Sequence, residues 1–247
     1  MSRQRALERF RNRLLLHSDL TDEEQEVVLN LDGEEQRVAA HRDLVTPGSR
    51  TGHATLTVDG LIARYQQMRD GGRQLVAFHI PGDMGDLHST ALCWAGWGMT
   101  ALTDSTVLKI PHQVILSQIE RYPAIGRALW RDTTFDANVL AQWVANIGRA
   151  DAKARLAHLF CELGIRSERA ELGTRERYPL QVTQEQIGDA MGLTAVHVNR
   201  SLRVLRELGA ADVRGGMVSV TDRATLERVA NFDPTYLYAG EPVPRVR

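Results

Sequence analysis

Apolar residues recur along this chain with two different periods, and the exchanges between them mark its elements. "LERFRNRLLLHSDLTDEEQEVVLNL" spaces its apolar residues as two helical pieces, the second opening at Thr21 just after Leu20. From Gln36 to Ile110 that spacing disappears. Short runs such as "ATLTVDGLIARY", "QLVAFHI" and "STVLKI" are separated by Gly, Pro, Asp and Ser, with Asp70-Gly71-Gly72 the clearest hairpin turn. Short strands so spaced predict an antiparallel barrel or jelly roll. From Pro111 the helical period returns. Pro123 suits the first turn of a long helix reaching about Gly148, which at 1.5 Å per residue spans roughly 38 Å. Leu129, Leu140, Trp143 and Ile147 give it a partial apolar seam, interrupted by Asp132 and Asp136. Such a helix packs on its own barrel or against a second copy of itself.

The segment "QVTQEQIGDAMGLTAVHVNRSLRVLRELG" (181–209) holds two helix starts. Thr183 and Gln186 have capping-box spacing. Ile187, Ala190 and Met191 then form one apolar stripe that stops at Gly192, a residue suited to a left-handed helix exit. Thr194 caps the next helix. Two helices joined by a short turn containing Gly predict a helix-turn-helix.

The second helix has two unlike faces. Val198, Leu202 and Leu205 point to a core, whereas Val196, Asn199, Arg200 and Arg203 share another stripe. Most helical Arg residues are only solvated surface charges. Here, however, the stripe suits a major groove, since Arg can donate a fork to guanine and Asn matches adenine. Downstream, Ala211–Val213 and Met217–Val220 predict two strands around Arg214-Gly215-Gly216, and Asp222 caps a last helix. Together these elements make a winged helix.

Segment 182–209 resembles the DNA-binding motif of the Crp/Fnr transcription regulators. "RADAKARLAHLFCEL" (149–163) is similar to that family's hinge and first DNA-binding-domain helix. "HRDLVTPGSRTGHATLTVDGLIARY" and "QLVAFHIPGDMGDLH" resemble strands of its sensor barrel. The resemblance implies an α+β chain: an N-terminal antiparallel β-barrel (jelly roll), a long dimerisation helix and a C-terminal winged helix-turn-helix. The expected division is a cyclic-nucleotide-binding-like barrel with N-terminal helices at 1–122, dimerisation helix and hinge at 123–150, DNA-binding domain at 151–230, and a tail at 231–247. The implied partners are a double-stranded, pseudo-palindromic DNA operator, a second copy of the chain and RNA polymerase. Arg200 is then expected to read guanine, with Val196 and Asn199 tuning neighbouring base pairs. Thr183, Thr194, His197 and Arg203 are expected to meet phosphates or cap helices.

Composition sharpens this picture little. At 247 residues there is room for two modest domains, and a net charge of −1 argues against a polycationic coat protein. It leaves specific DNA binding open, because only the docking face must be positive. The chain shows no apolar run of bilayer-spanning length and no signal-peptide core near its start, so a cytoplasmic protein without a membrane partner is expected. Cys93 and Cys161 should then be reduced.

What the barrel senses is less determined. The cyclic-AMP-binding branch of the resembled family uses a Gly-Glu pair for the ribose and an Arg-Ser or Arg-Thr pair for the phosphate. Gly85-Asp86 stands at the first place, where Asp86 can still accept from a ribose hydroxyl. The second place falls near Ala95-Gly96, and no Arg or Lys lies between Asp83 and Thr106. A buried phosphate without a paired charge is heavily penalised, so cyclic AMP is not the expected effector. Two isolated Cys cannot hold the iron–sulfur cluster of another branch, and no cofactor is expected. The loop instead offers His88, Trp94 and Trp97, which either pack locally or meet an unidentified small-molecule effector. The alternative class is a metal-dependent, cupin-like barrel enzyme using His41, His53, His79 and His88. Scattered barrel His are more often structural. No catalytic or metal site is expected.

Overall fold

The computed structural model describes residues 2–238. Two compact units form. One comprises the residues up to Gly72 together with Ala77–Ala137, the other Arg73–Val76 together with the residues from Asn138 onward.

The first unit opens with helices α1 (Arg3–Leu15) and α2 (Asp22–Leu29), the latter held by a complete capping box between Thr21 and Glu24. Seven strands follow along the chain: β1 (Glu34–Val38), β2 (Asp43–Val45), β3 (His53–Asp59), β4 (Ile62–Gln67), β5 (Arg73–His79, of which Arg73–Val76 belong to the second unit), β6 (Gly98–Ala101) and β7 (Ser105–Pro111). They make two antiparallel sheets, ordered β1-β7-β3 and β2-β6-β4-β5. Val38, Val45, Ile62, Met99, Ala101 and Val107 come from both sheets and share one core, the double-sheet arrangement that the strand spacing predicts. The outer side of β3 and β7 is covered by α1, α2, α3 (His112–Arg121) and the start of α4 (Pro123–Arg149), around Phe10, Leu56, Leu108, Ile125 and Leu129.

That interface also buries charge. Arg13 of α1 donates Nη1 to Asp83 at 2.7 Å, Nε to Asp132 at 2.6 Å and Nη2 to Asp136 at 2.7 Å. Burial disfavours its charge, yet Asp132, Asp83 and Asp136 together raise its pKa well above the usual value. The two aspartates that break the apolar seam of α4 are thus ligands of a buried guanidinium.

The second unit contains the end of α4, then α5 (Ala152–Arg169), β8 (Arg177–Pro179), α6 (Gln184–Met191), α7 (Ala195–Glu207), β9 (Ala211–Arg214), β10 (Met217–Val220) and α8 (Arg223–Ala230). The wing has three strands, ordered β8-β10-β9, one more than the sequence predicts. Tyr178 of β8 is buried and donates to the Phe160 carbonyl at 2.7 Å, which fixes that strand to α5. Glu162 on α5 is completely buried. Its carboxylate accepts from Trp143 Nε1 at 2.8 Å, Arg166 Nη1 at 2.9 Å and Tyr236 OH at 3.1 Å. Residues 232–238 pack back on α5, where the His158 ring meets Phe232 at 5.0 Å and Tyr236 at 5.7 Å. The last part of the tail expected at 231–247, ending in "GEPVPRVR", lies outside the described residues.

Candidate nucleic-acid interface

The two cap predictions hold in detail. Thr183 accepts from the Gln186 N–H while Gln186 accepts from the Thr183 N–H, closing the capping box of α6. Gly192 leaves α6 at φ +64° in the left-handed region. A second glycine, unnoticed in the sequence, completes the turn. A Cβ on Gly188 would collide with the Leu193 carbonyl oxygen, so only glycine lets the link between the helices pass this close to α6. Thr194 then caps α7 through the His197 N–H.

Helix α7 presents the two faces predicted. Val198, Ser201, Leu202 and Leu205 are buried. Asn199, Arg200 and Arg203 are exposed, and Val196 is 76% exposed despite being apolar. Arg203 lies 3.8 Å from Glu207, a solvated pair of little strength. Arg200 has no ion-pair partner among the described residues and keeps all its donors. Asn199 Nδ2 donates to Gln184 Oε1 at 3.2 Å. The His197 Nδ1 lies 3.0 Å from Thr194 Oγ1. Because that hydroxyl already accepts from the His197 N–H, its own proton can go to Nδ1, leaving Nε2–H outward as a donor. On the wing, Arg206 and Arg214 both reach Asp212, at 2.8 and 2.6 Å.

Residues 154–229, which include this whole surface, match the family model of the Crp-like helix-turn-helix domain. Over 200 residues the chain is 26% identical to the transcriptional activator protein FnrL of Cereibacter sphaeroides, covering 78% of this chain and 79% of that one. It is 24% identical to the nitrogen fixation regulation protein FixK of Azorhizobium caulinodans, covering 70% of each. The solved structure of FixK2 from Bradyrhizobium japonicum superposes with a TM-score of 0.73 at 24% identity, covering 81% of this chain and 98% of that one. Its C-terminal part carries a Crp-like helix-turn-helix domain, and along most of its length the chain is similar to Crp/Fnr-type regulators. It is a DNA-binding transcription regulator and not a metal-dependent barrel enzyme. Among the described residues, no helix is long and apolar enough to cross a membrane.

Two expectations drawn from the Crp/Fnr resemblance need correction. Asp86 is not available to a ribose hydroxyl. It is buried, and its carboxylate accepts from both the backbone N–H of Thr55 at 2.5 Å and the Thr55 hydroxyl at 3.0 Å. Burial raises its pKa, against the pull of those bonds and of Arg64. The neighbourhood of Gly85 also does contain a cation, supplied from another strand. Arg64 of β4 is buried, donates to the Gly85 carbonyl, approaches Asp136 at 3.4 Å and stacks 4.8 Å over the Trp97 ring. Those contacts use Nη2 and the face of the guanidinium, while its Nε is buried without a hydrogen-bond partner among the described residues. His88 lies against Trp97 at 4.6 Å, and burial beside Arg64 lowers its pKa to about 4. Trp94 does not pack the barrel; it is 59% exposed.

Burial also splits the apolar stripe expected along α4. Leu129 is buried in the core of the first unit, and Trp143 is buried against Glu162, so neither can face a second copy. Their neighbours Trp130 and Val144 are 75% and 64% exposed. Trp130, Ala137 and Val144 recur every seven residues and are all exposed, while Leu140 and Ile147 are half-buried between them.

Proposed function

We propose that this regulator binds a pseudo-palindromic operator as a homodimer joined through α4. Helix α7 of each copy enters the major groove of one half-site. Arg200 reads guanine, Asn199 reads adenine, and the Val196 methyls pack on a thymine methyl. Thr183, Thr194, His197 and Arg203 meet phosphates, the two threonines while capping their helices. The outer face of α7 carries this reading: an exposed valine, amide and unpaired guanidinium opposite a fully buried apolar face. The dimer seam is Trp130, Ala137, Leu140, Val144 and Ile147. The division at 1–122, 123–150, 151–230 and 231–247 describes sensor, dimerisation helix, DNA-binding domain and tail. The protein works in the cytoplasm, contacts RNA polymerase and answers to an effector other than cyclic AMP, or to none.

Binding-site selection on random DNA tests the reading with the wild type and Val196→Glu. A glutamate accepts from cytosine N4 where valine cannot, so the preferred half-site should change at one symmetric base pair and keep the guanine read by Arg200. An unchanged half-site would put Val196 away from the bases and overturn the placement of α7.

A further inference from the structure

The carboxamide of Asn199 is held by another helix. Its Nδ2 donates to Gln184 Oε1 at 3.2 Å, fifteen residues away in sequence. Gln184 is the first residue of α6, directly behind the Thr183 capping box, and Asn199 lies in the second turn of α7. Both side chains are exposed, on backbones fixed by two capped helices.

We propose that Gln184 is a positioning residue for base readout, orienting the Asn199 carboxamide to present one acceptor and one donor to adenine. The proposal rests on the reading that α7 faces the bases. An unrestrained asparagine can turn its amide over, exchanging oxygen and nitrogen, and then offers a base edge either polarity. A DNA phosphate accepts only, so it takes the Gln184 NH₂ group and keeps Gln184 Oε1 turned to Asn199, where it accepts the Nδ2 hydrogen that points away from Oδ1. The free edge of Asn199 then carries Oδ1 beside the second N–H. That pair matches adenine, whose N6 amine donates and whose N7 accepts. The Gln184 NH₂ group remains available to a backbone phosphate, so one side chain contacts the DNA backbone and sets the polarity of a base-reading neighbour.

Site selection and competition binding with the full chain test this in Asn199→Ala, Gln184→Ala, the double variant, Gln184→Glu and Arg200→Ala. Asn199→Ala and Gln184→Ala should each lower the preference for adenine at the same symmetric base pair, by about fivefold to a hundredfold. The double variant should lose no more than the larger single. Gln184→Glu keeps the acceptor and should retain the adenine preference while weakening binding to all sequences alike. Thermal unfolding of Gln184→Ala should match the wild type, since the side chain is exposed. Uniformly weaker binding by Gln184→Ala with adenine preference intact would overturn the inference. So would an Asn199→Ala variant with unchanged specificity while Arg200→Ala still relaxes its own pair; α7 would then read DNA without Asn199. If neither Asn199→Ala nor Arg200→Ala alters any position, the placement of α7 itself fails, and the inference with it.

Discussion

Trp143 and Glu162 meet inside the second unit, the indole nitrogen donating to the carboxylate at 2.8 Å. A tryptophan that lies on an apolar stripe in sequence is therefore spent within its own chain. Trp143→Phe keeps the ring but removes the donor from a buried carboxylate, which should destabilise the protein by roughly 1–3 kcal/mol without dissociating a dimer. Trp130→Glu or Val144→Glu should do the reverse, giving folded monomers that lose operator affinity, because two half-sites need two recognition helices. Sedimentation and chemical unfolding separate the outcomes. Monomeric Trp143→Phe, or dimeric Val144→Glu, would refute the assignment.

Arg13 should be among the most sensitive residues of the first unit. Arg13→Met leaves Asp83, Asp132 and Asp136 around an apolar side chain, and removing one member of a buried ionic group costs on the order of 3–5 kcal/mol. Thermal denaturation measures this, and a loss within experimental error would show those carboxylates to be solvated.

Arg200 and Arg203 should behave differently although both are exposed arginines. Arg200→Ala should relax discrimination at one symmetric pair by ~1–3 kcal/mol. Arg203→Ala, one turn further along α7, should weaken all sequences alike and lower the salt slope by about one unit. Competition binding at several salt concentrations distinguishes them; identical behaviour would contradict the proposed register.

Cyclic AMP should give no binding isotherm at micromolar concentration in calorimetric titration. Thr55 holds Asp86, and Arg64 is buried, bonded through Nη2 to Gly85 and Asp136 and stacked on Trp97, so a nucleotide phosphate would have to open a closed site to reach the guanidinium. A micromolar isotherm would show that Arg64 leaves those contacts for the ligand.

Acid should destabilise the second unit through His158. Burial lowers its pKa to about 4, and its Nε2 has no hydrogen-bond partner among the described residues. The unfolded chain takes up this proton near pH 6.5 and the folded chain only near 4, so the unfolded state binds more protons between those values. Stability should therefore fall as pH drops through that window, by about 1.4 kcal/mol for each unit well below 6.5. Denaturant unfolding of wild type and His158→Leu at about pH 7 and about pH 5 checks it, the variant being the less pH-dependent.

The helix-turn-helix was almost wholly legible because its determinants are local: Thr183 with Gln186, Gly192, and Thr194 lie within a few residues of what they cap. Helix α4 was legible as a helix but not in its facing. It carries apolar side chains on more than one side, and periodicity cannot tell Leu129 from Trp130 or Trp143 from Val144 until burial assigns them. A strict seven-residue count would have chosen Trp130, Ala137 and Val144. The charge network was out of reach. Arg13 finds Asp132 and Asp136 119 and 123 residues away, and Arg64 enters the Gly85 loop from another strand. No local pattern records such pairings. Gln184 was passed over because it reads as an ordinary first-turn residue until α7 is laid beside it.

The packing of Tyr236 on Glu162 bears on how the chain is made. A ribosome synthesises Glu162 seventy-four residues before the hydroxyl that completes its hydrogen bonds. Until then the carboxylate has only Trp143 and Arg166, and His158 lacks both aromatic neighbours. The DNA-reading unit therefore completes these interior contacts only after Phe232–Tyr238 has been translated and folded back onto α5.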